Sequence, residues 1–235
     1  LIVFASPCNP TGSVYTKKEL KALAEVIMQY PDVYVISDEI YEHINFVGKH
    51  ESIAQFDGMK ERTIVINGAS KAFAMTGWRV GYLAAPLWLA KACDKLQGQF
   101  TSATCSIAQK AMHCAAELDV SVIYPMCDAF KKRRDLVYKL LKEIPGIKTN
   151  LPDGAFYFFP DISYYIGKKN ISFREGNTIK SSTDLCMYLL EKAHVSLVPG
   201  DAFGNDNYIR ISYAAAEDKL TEAMKRIKKA LEELK

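Results

Sequence analysis

No run of eighteen apolar residues occurs in this sequence, and no signal-peptide pattern opens it, so neither a membrane span nor a secretory leader is expected. There is no excess of one charge either: 30 lysines and arginines stand against 27 aspartates and glutamates, a net charge of +3. That balance argues against nucleic acid or a membrane surface as a partner. The six cysteines (Cys8, Cys93, Cys105, Cys114, Cys127, Cys186) contain no Cys-x-x-Cys pair, and the four histidines are equally scattered. Metal-ligand spacing is therefore missing and no metal is expected. Dispersed thiols fit a reducing, cytoplasmic compartment better than a disulfide framework. Repeats and low-complexity tracts are absent. The one dense basic run, Lys131-Lys132-Arg133-Arg134, sits among apolar residues at helical spacing (Phe130, Leu136, Val137, Leu140, Leu141) and is expected to be a solvated helix face. An initiator methionine is lacking too. The chain opens at Leu1 inside a strand-like segment, which leads us to expect the C-terminal part of a longer protein.

What is present suffices for a sizeable core: 49% of the 235 residues are hydrophobic. Leu1–Ala5, Val33–Ser37, Thr63–Asn67 and Val80–Ala84 are short, rich in β-branched or aromatic residues and bounded by turn residues, as strands buried on both faces should be. Between the first two, Thr16-x-x-Glu19 forms a capping box, and Leu20, Leu23, Ala24 and Ile27 mark the inner stripe of a helix. Strand–helix–strand order predicts an α/β fold with a mostly parallel sheet over residues 1–118. A long linking helix is expected over 119–144. A smaller α+β unit follows over 145–235, with strands at Ala155–Phe159, Val195–Val198 and Tyr208–Tyr213, a polar loop through 168–182, and helices at Thr183–Ala193 and from Asp218, where Leu220, Met224, Ile227 and Leu231 face inward.

The densest chemical signal is Asn67-Gly68-Ala69-Ser70-Lys71, followed by Gly77-Trp78-Arg79-Val80-Gly81. A lysine amine condenses with a carbonyl as a Schiff base, while a hydroxyl and a guanidinium hold phosphate oxygens, so the segment suits a covalent anchor for a phosphorylated aldehyde. Asn9-Pro10-Thr11-Gly12 and Ser37-Asp38-Glu39-Ile40-Tyr41 lie upstream. Each of these three motifs follows a predicted strand, at the sheet edge where open α/β folds bind ligands. Downstream, Arg210 alternates with apolar residues in Tyr208-Ile209-Arg210-Ile211-Ser212-Tyr213 and so points to the opposite face. There it would meet either a buried acidic partner or a substrate carboxylate.

From Asn9 to the C-terminus these motifs resemble the fold-type I pyridoxal-phosphate-dependent aminotransferases of class I/II, and most closely their aspartate aminotransferase branch. Pro152-Asp153-Gly154-Ala155-Phe156 and Pro199-Gly200-Asp201-Ala202-Phe203-Gly204 match the same pattern. The resemblance implies pyridoxal 5'-phosphate as cofactor, amino acid and 2-oxo acid substrates (aspartate and 2-oxoglutarate first), and a homodimer with active sites at the subunit interface. It makes 1–118 the C-terminal half of the large cofactor-binding domain and 145–235 the small domain. Lys71 would anchor the cofactor and later act as base at the substrate α-carbon. Asp38, the first acid of Asp-Glu-x-Tyr, would hold the pyridine nitrogen proton, although Glu39 competes on charge alone. Asn9 and Tyr41 would donate to the ring oxygen, Ser70 and Arg79 would hold the phosphate, and Arg210 would clamp the substrate carboxylate, with Asn9 beside it. The resemblance also places a glycine-containing phosphate loop and a ring-stacking aromatic in an N-terminal half outside this sequence. Two other functions use the same scaffold: another pyridoxal phosphate reaction such as β-elimination, and the effector domain of a transcription regulator.

Overall fold

The computed structural model describes residues 1–170 and 178–235, so the expected polar loop over 168–182 falls partly outside the described residues. The chain divides into two units. The first comprises Leu1–Cys8, Ser13–Cys127 and Asp153–Ala155, and the second Asn9–Gly12, Asp128–Pro152 and Phe156–Lys235.

In the first unit four strands, β1 (Ile2–Ala5), β2 (Val35–Asp38), β3 (Thr63–Asn67) and β4 (Tyr82–Ala84), form one sheet in that order. β1 pairs with β2 and β2 with β3 in parallel, while β4 runs antiparallel to β3. The sheet is thus mostly parallel, as the strand–helix–strand pattern requires. Burial on both faces fails for the outermost strands. Ile2 and Val3 of β1 and Tyr82 of β4 are exposed, whereas Val35 and Ser37 of the central β2 are buried. Apolar composition reports what a strand can bury, not how many neighbours it has.

Helix α1 (Lys17–Ile27) shows how local chemistry sets a boundary. The Thr16 hydroxyl accepts from the Glu19 amide at 3.2 Å, and the Glu19 carboxylate accepts from the Thr16 amide at 2.8 Å. Two otherwise orphaned N–H groups are thereby satisfied. Leu20, Ala24 and Ile27 pack on Val35, Ile53 and Met59. Leu23, expected on the inner stripe, is 39% exposed. It lies about 60° around the helix from Leu20, at the edge of the buried face. Thr16→Ala should destabilise the protein by about 1 kcal/mol. Chemical denaturation would read this as a lower midpoint at unchanged slope, and an unchanged midpoint would show the cap to be idle.

The connections carry α2 (Ala69–Ala72), α3 (Leu87–Phe100) and α4 (Ser106–Glu117). The long linking helix is α5 (Tyr124–Lys142), preceded by a 3-10 turn at Val120–Ile123. Its basic run is a solvated face only in part. Lys131 and Lys132 are exposed, but Arg134 is 6% exposed. Its guanidinium donates to the Pro152 carbonyl at 3.0 Å and to Asp135 at 2.9 Å. A buried guanidinium needs such acceptors, and this one fastens the chain after α5.

The second unit holds β5 (Tyr157–Phe158), α6 (Ser182–Ala193), β6 (Val198–Pro199), β7 (Ile209–Ser212) and α7 (Glu217–Glu232). β7 is central, antiparallel to β5 on one side and to β6 on the other. The expected inner stripe of α7 is buried: Leu220 5%, Met224 3%, Ile227 1% and Leu231 3% exposed. Strand Ala155–Phe159 is shorter than expected because Ala155 has φ of +57°, which breaks the extended backbone.

Burial also separates the thiols. Burial in α6 pushes Cys186 up to about 12. The exposed Cys105, at the start of α4, is lowered by the backbone amides of Ala108 and Ile107. At pH 8 the thiolate fraction of Cys186 is on the order of 10⁻⁴, so iodoacetamide should label Cys105 first and leave Cys186 unmodified while the fold persists. Peptide mapping by mass spectrometry reads the order, and equal labelling rates would contradict it.

Candidate active site

Parallel pairing of β2 and β3 sets Asp38 opposite Ile66, so the turns that leave the two strands start side by side at one sheet edge. In the first turn Asp38 Oδ1 accepts from the Ile40 amide at 3.2 Å, closing a local Asx-type bond. Its other oxygen has no partner among the described residues. No helix follows it directly. Tyr41 is buried at 4% exposure.

The second turn begins with Asn67, whose side-chain oxygen accepts from the Gly68 amide at 2.7 Å. A Cβ on Gly68 would meet Gly81 Cα at 2.9 Å and the Val80 carbonyl at 3.1 Å. Backbone here packs directly on backbone, and only glycine permits it. Next comes α2, which carries Ser70 and Lys71, both half-buried. Lys71 Nζ lies 5.7 Å from the centre of the Tyr41 ring. Ser70 Oγ makes no hydrogen bond among the described residues. Arg79 is exposed, with φ of +53°, and its Nη1 donates to the Thr76 carbonyl at 2.8 Å. Ala74 is left-handed too, with φ of +52°. Two non-glycine residues in that region within one short segment mark stored backbone strain, which clusters at functional sites.

Glu39 is engaged elsewhere. Its Oε1 accepts from Ser37 Oγ at 2.9 Å and from Ser52 Oγ at 2.6 Å, and its Oε2 lies 2.8 Å from His50 Nε2. Burial pushes the neighbouring Glu42 carboxyl up, but hydrogen bonds from His43 and Asn67 and the charges of His43 and His50 outweigh this, so it titrates below the usual carboxylate range. The scattered histidines thus meet acids in space. Ligand atoms of Glu39, Glu42 and His50 lie within 4.8 Å of one another.

In the second unit Arg210 sits on the middle strand, between buried Ile209 and Ile211. Its Nη1 donates to Asn9 Oδ1 at 2.8 Å. Its guanidinium carbon lies 4.5 Å from the Tyr157 ring centre and 5.0 Å from that of Phe203. No carboxylate pairs with it among the described residues, and its buried Nε has no hydrogen-bond partner. The structure therefore brings Lys71 to Tyr41 and Arg210 to Asn9. Sequence reasoning missed His50, Ser52, Tyr157 and Phe203. Phe203 lies in the matched Pro199–Gly204 stretch but was given no role there, and only their position in the fold marks the other three.

A lysine and a carboxylate at the carboxyl edge of a mostly parallel sheet describe an α/β protein with a candidate ligand site where open α/β folds bind their ligands. The chain belongs to the class I and II aminotransferase family, whose family model matches residues 1–227. It is 50% identical over 239 residues to a bifunctional aspartate aminotransferase and glutamate/aspartate-prephenate aminotransferase of Petunia hybrida, covering 100% of this chain and 49% of that protein. It is 48% identical to an aspartate aminotransferase of Pinus pinaster, covering 98% of this chain and 47% of the relative. The chain thus spans about half the length of these relatives. Among solved structures, the aspartate aminotransferase from Rhizobium meliloti superposes with a TM-score of 0.92 at 42% identity, over 99% of this chain and 58% of that one. The family works with pyridoxal phosphate.

Proposed function

We propose that the protein is a pyridoxal-phosphate-dependent aminotransferase acting between an amino acid, aspartate first, and a 2-oxo acid, 2-oxoglutarate first. The observation that carries the reading is Lys71 on the turn after β3, beside Tyr41 and next to the turn of Asp38. The donors fit the cofactor. Asp38 has an uncommitted oxygen for a pyridinium N–H, Ser70 has an uncommitted hydroxyl for a phosphate, and the strained Arg79 turn presents a guanidinium beyond its single backbone bond. When bound, the cofactor supplies an electron sink for the substrate α-carbon.

The chain's own residues do the rest. Lys71 Nζ would anchor the cofactor and, as a base held beside the substrate, would take the α-carbon proton. Asp38 retains the proton on the ring nitrogen, and Tyr41 donates to the ring oxygen. Asn9 accepts from Arg210 through Oδ1, which leaves its amide N–H groups to donate. Arg210 receives the substrate α-carboxylate. Residues 1–118 act as part of a large domain and 145–235 as a small one, in a cytoplasmic homodimer. Among the described residues no helix is long and apolar enough to cross a membrane.

Borohydride reduction of the cofactor-loaded protein tests the reading: a pyridoxyl adduct is expected on the Lys71 peptide, and its absence would sink the proposal. A second substrate reading rests on relatives named for prephenate as well as aspartate. Half-reactions with glutamate- and aspartate-loaded enzyme, followed by prephenate, distinguish the two.

A further inference from the structure

Glu39 is a buried carboxylate that the proposed chemistry does not use, and it sits between Asp38 and Tyr41. Three side chains converge on it: Ser37 from β2, and His50 and Ser52 from the far end of the following loop. Its backbone is equally committed. The Glu39 amide donates to the Ile66 carbonyl of β3 at 2.9 Å, and its carbonyl accepts from the Glu42 amide at 2.9 Å. Glu42 in turn lies 3.1 Å from His43 Nε2 through its Oε1. A buried carboxylate is tolerated only when its lone pairs are taken, and here three side chains from two chain segments take them.

We infer that Glu39, with His50 and Ser52, is a positioning cluster that fixes the Asp38–Tyr41 turn against the Lys71 turn for cofactor capture. Glu39 touches neither cofactor nor substrate. It clamps the loop ending at Ser52 onto the end of β2, so the peptide planes on either side of residue 39 cannot rotate. Through the Ile66 bond the same turn is held to β3. Displacements of about 1 Å in such a frame can cost on the order of 10²-fold in function. His50 enters through Nε2 alone, because its Nδ1 is buried without a partner. A glutamine amide at that position could donate the same bond.

The inference rests on the aminotransferase reading of this site, and the experiment separates the two. Pyridoxal phosphate is titrated into cofactor-stripped full-length protein and followed by visible absorbance, alongside thermal melts of the stripped protein. Glu39→Gln and His50→Leu should weaken cofactor binding about 10- to 100-fold, by analogy with residues that orient ligands from behind. They should also displace the pH midpoint of the bound chromophore. His50→Gln should restore both to within about threefold of wild type. Ser52→Ala, the mildest change, should weaken binding in the same direction and serves if Glu39→Gln does not fold. Wild-type affinity and an unchanged chromophore midpoint in Glu39→Gln, His50→Leu and Ser52→Ala would overturn the inference, whether or not they melt lower. Failure of the wild-type protein to bind the cofactor would overturn the reading of the site and the inference with it.

Discussion

Lys71→Ala is expected to lower the rate of amino transfer by about 10⁴-fold, the upper end of what a positioned proton-transfer group contributes. On the proposed reading the substitution removes two functions at once. The covalent hold on the cofactor goes, so visible absorbance should revert to that of free or weakly bound pyridoxal phosphate. The base at the α-carbon goes as well, so adding excess cofactor should not restore turnover. The fold should survive, because Lys71 is half-buried on a short helix whose core contacts come from Ala69 and Ala72. Single-turnover spectroscopy with aspartate measures the loss. A variant that keeps a tenth of the wild-type rate would place the reacting amine elsewhere.

Arg210→Lys is the second large effect. The guanidinium is held between two rings and by Asn9, which leaves its remaining N–H groups as a fork for a carboxylate. Lysine keeps the charge but presents a point where a planar pair is needed, and it cannot reach Asn9 and a substrate together. Breaking a desolvated, hydrogen-bonded charge pair costs about 2–5 kcal/mol. This corresponds to a drop of roughly 30- to 4,000-fold in kcat/KM for aspartate. Cofactor affinity should stay near wild type, which separates this loss from that of Lys71. A kcat/KM within threefold of wild type would return Arg210 to a structural role.

Residues whose chemistry is local were legible. The capping box is complete within four residues, and the inner stripe of α7 follows from helical spacing alone, so both could be read without the fold. The motif residues Lys71, Asp38 and Tyr41 were nominated from contiguous stretches for the same reason. What could not be read is partnership. Nothing in the spacing of Glu39, His50 and Ser52 says that one carboxylate gathers the other two, since they meet only because the loop after β2 returns to its start. Arg134 looked like one member of a solvated basic run until the chain beyond α5 supplied a buried acceptor. Ile2 and Val3 have the composition of covered residues, yet covering depends on neighbours that composition does not name. Asp38 and Glu39 were equivalent on charge, and their hydrogen bonds now separate them: one carboxylate is saturated and the other is half committed.

The bond between Asn9 and Arg210 joins residues 201 positions apart. Closing so long a loop carries its entropic cost before the contact returns anything, so the bond belongs to the last stage of assembly. A partly folded chain can hold a formed β3 and a formed Lys71 turn and still lack the bond between Asn9 and Arg210. During biosynthesis Arg210 is made 201 residues after Asn9, so this bond cannot form until all the chain between them has been made.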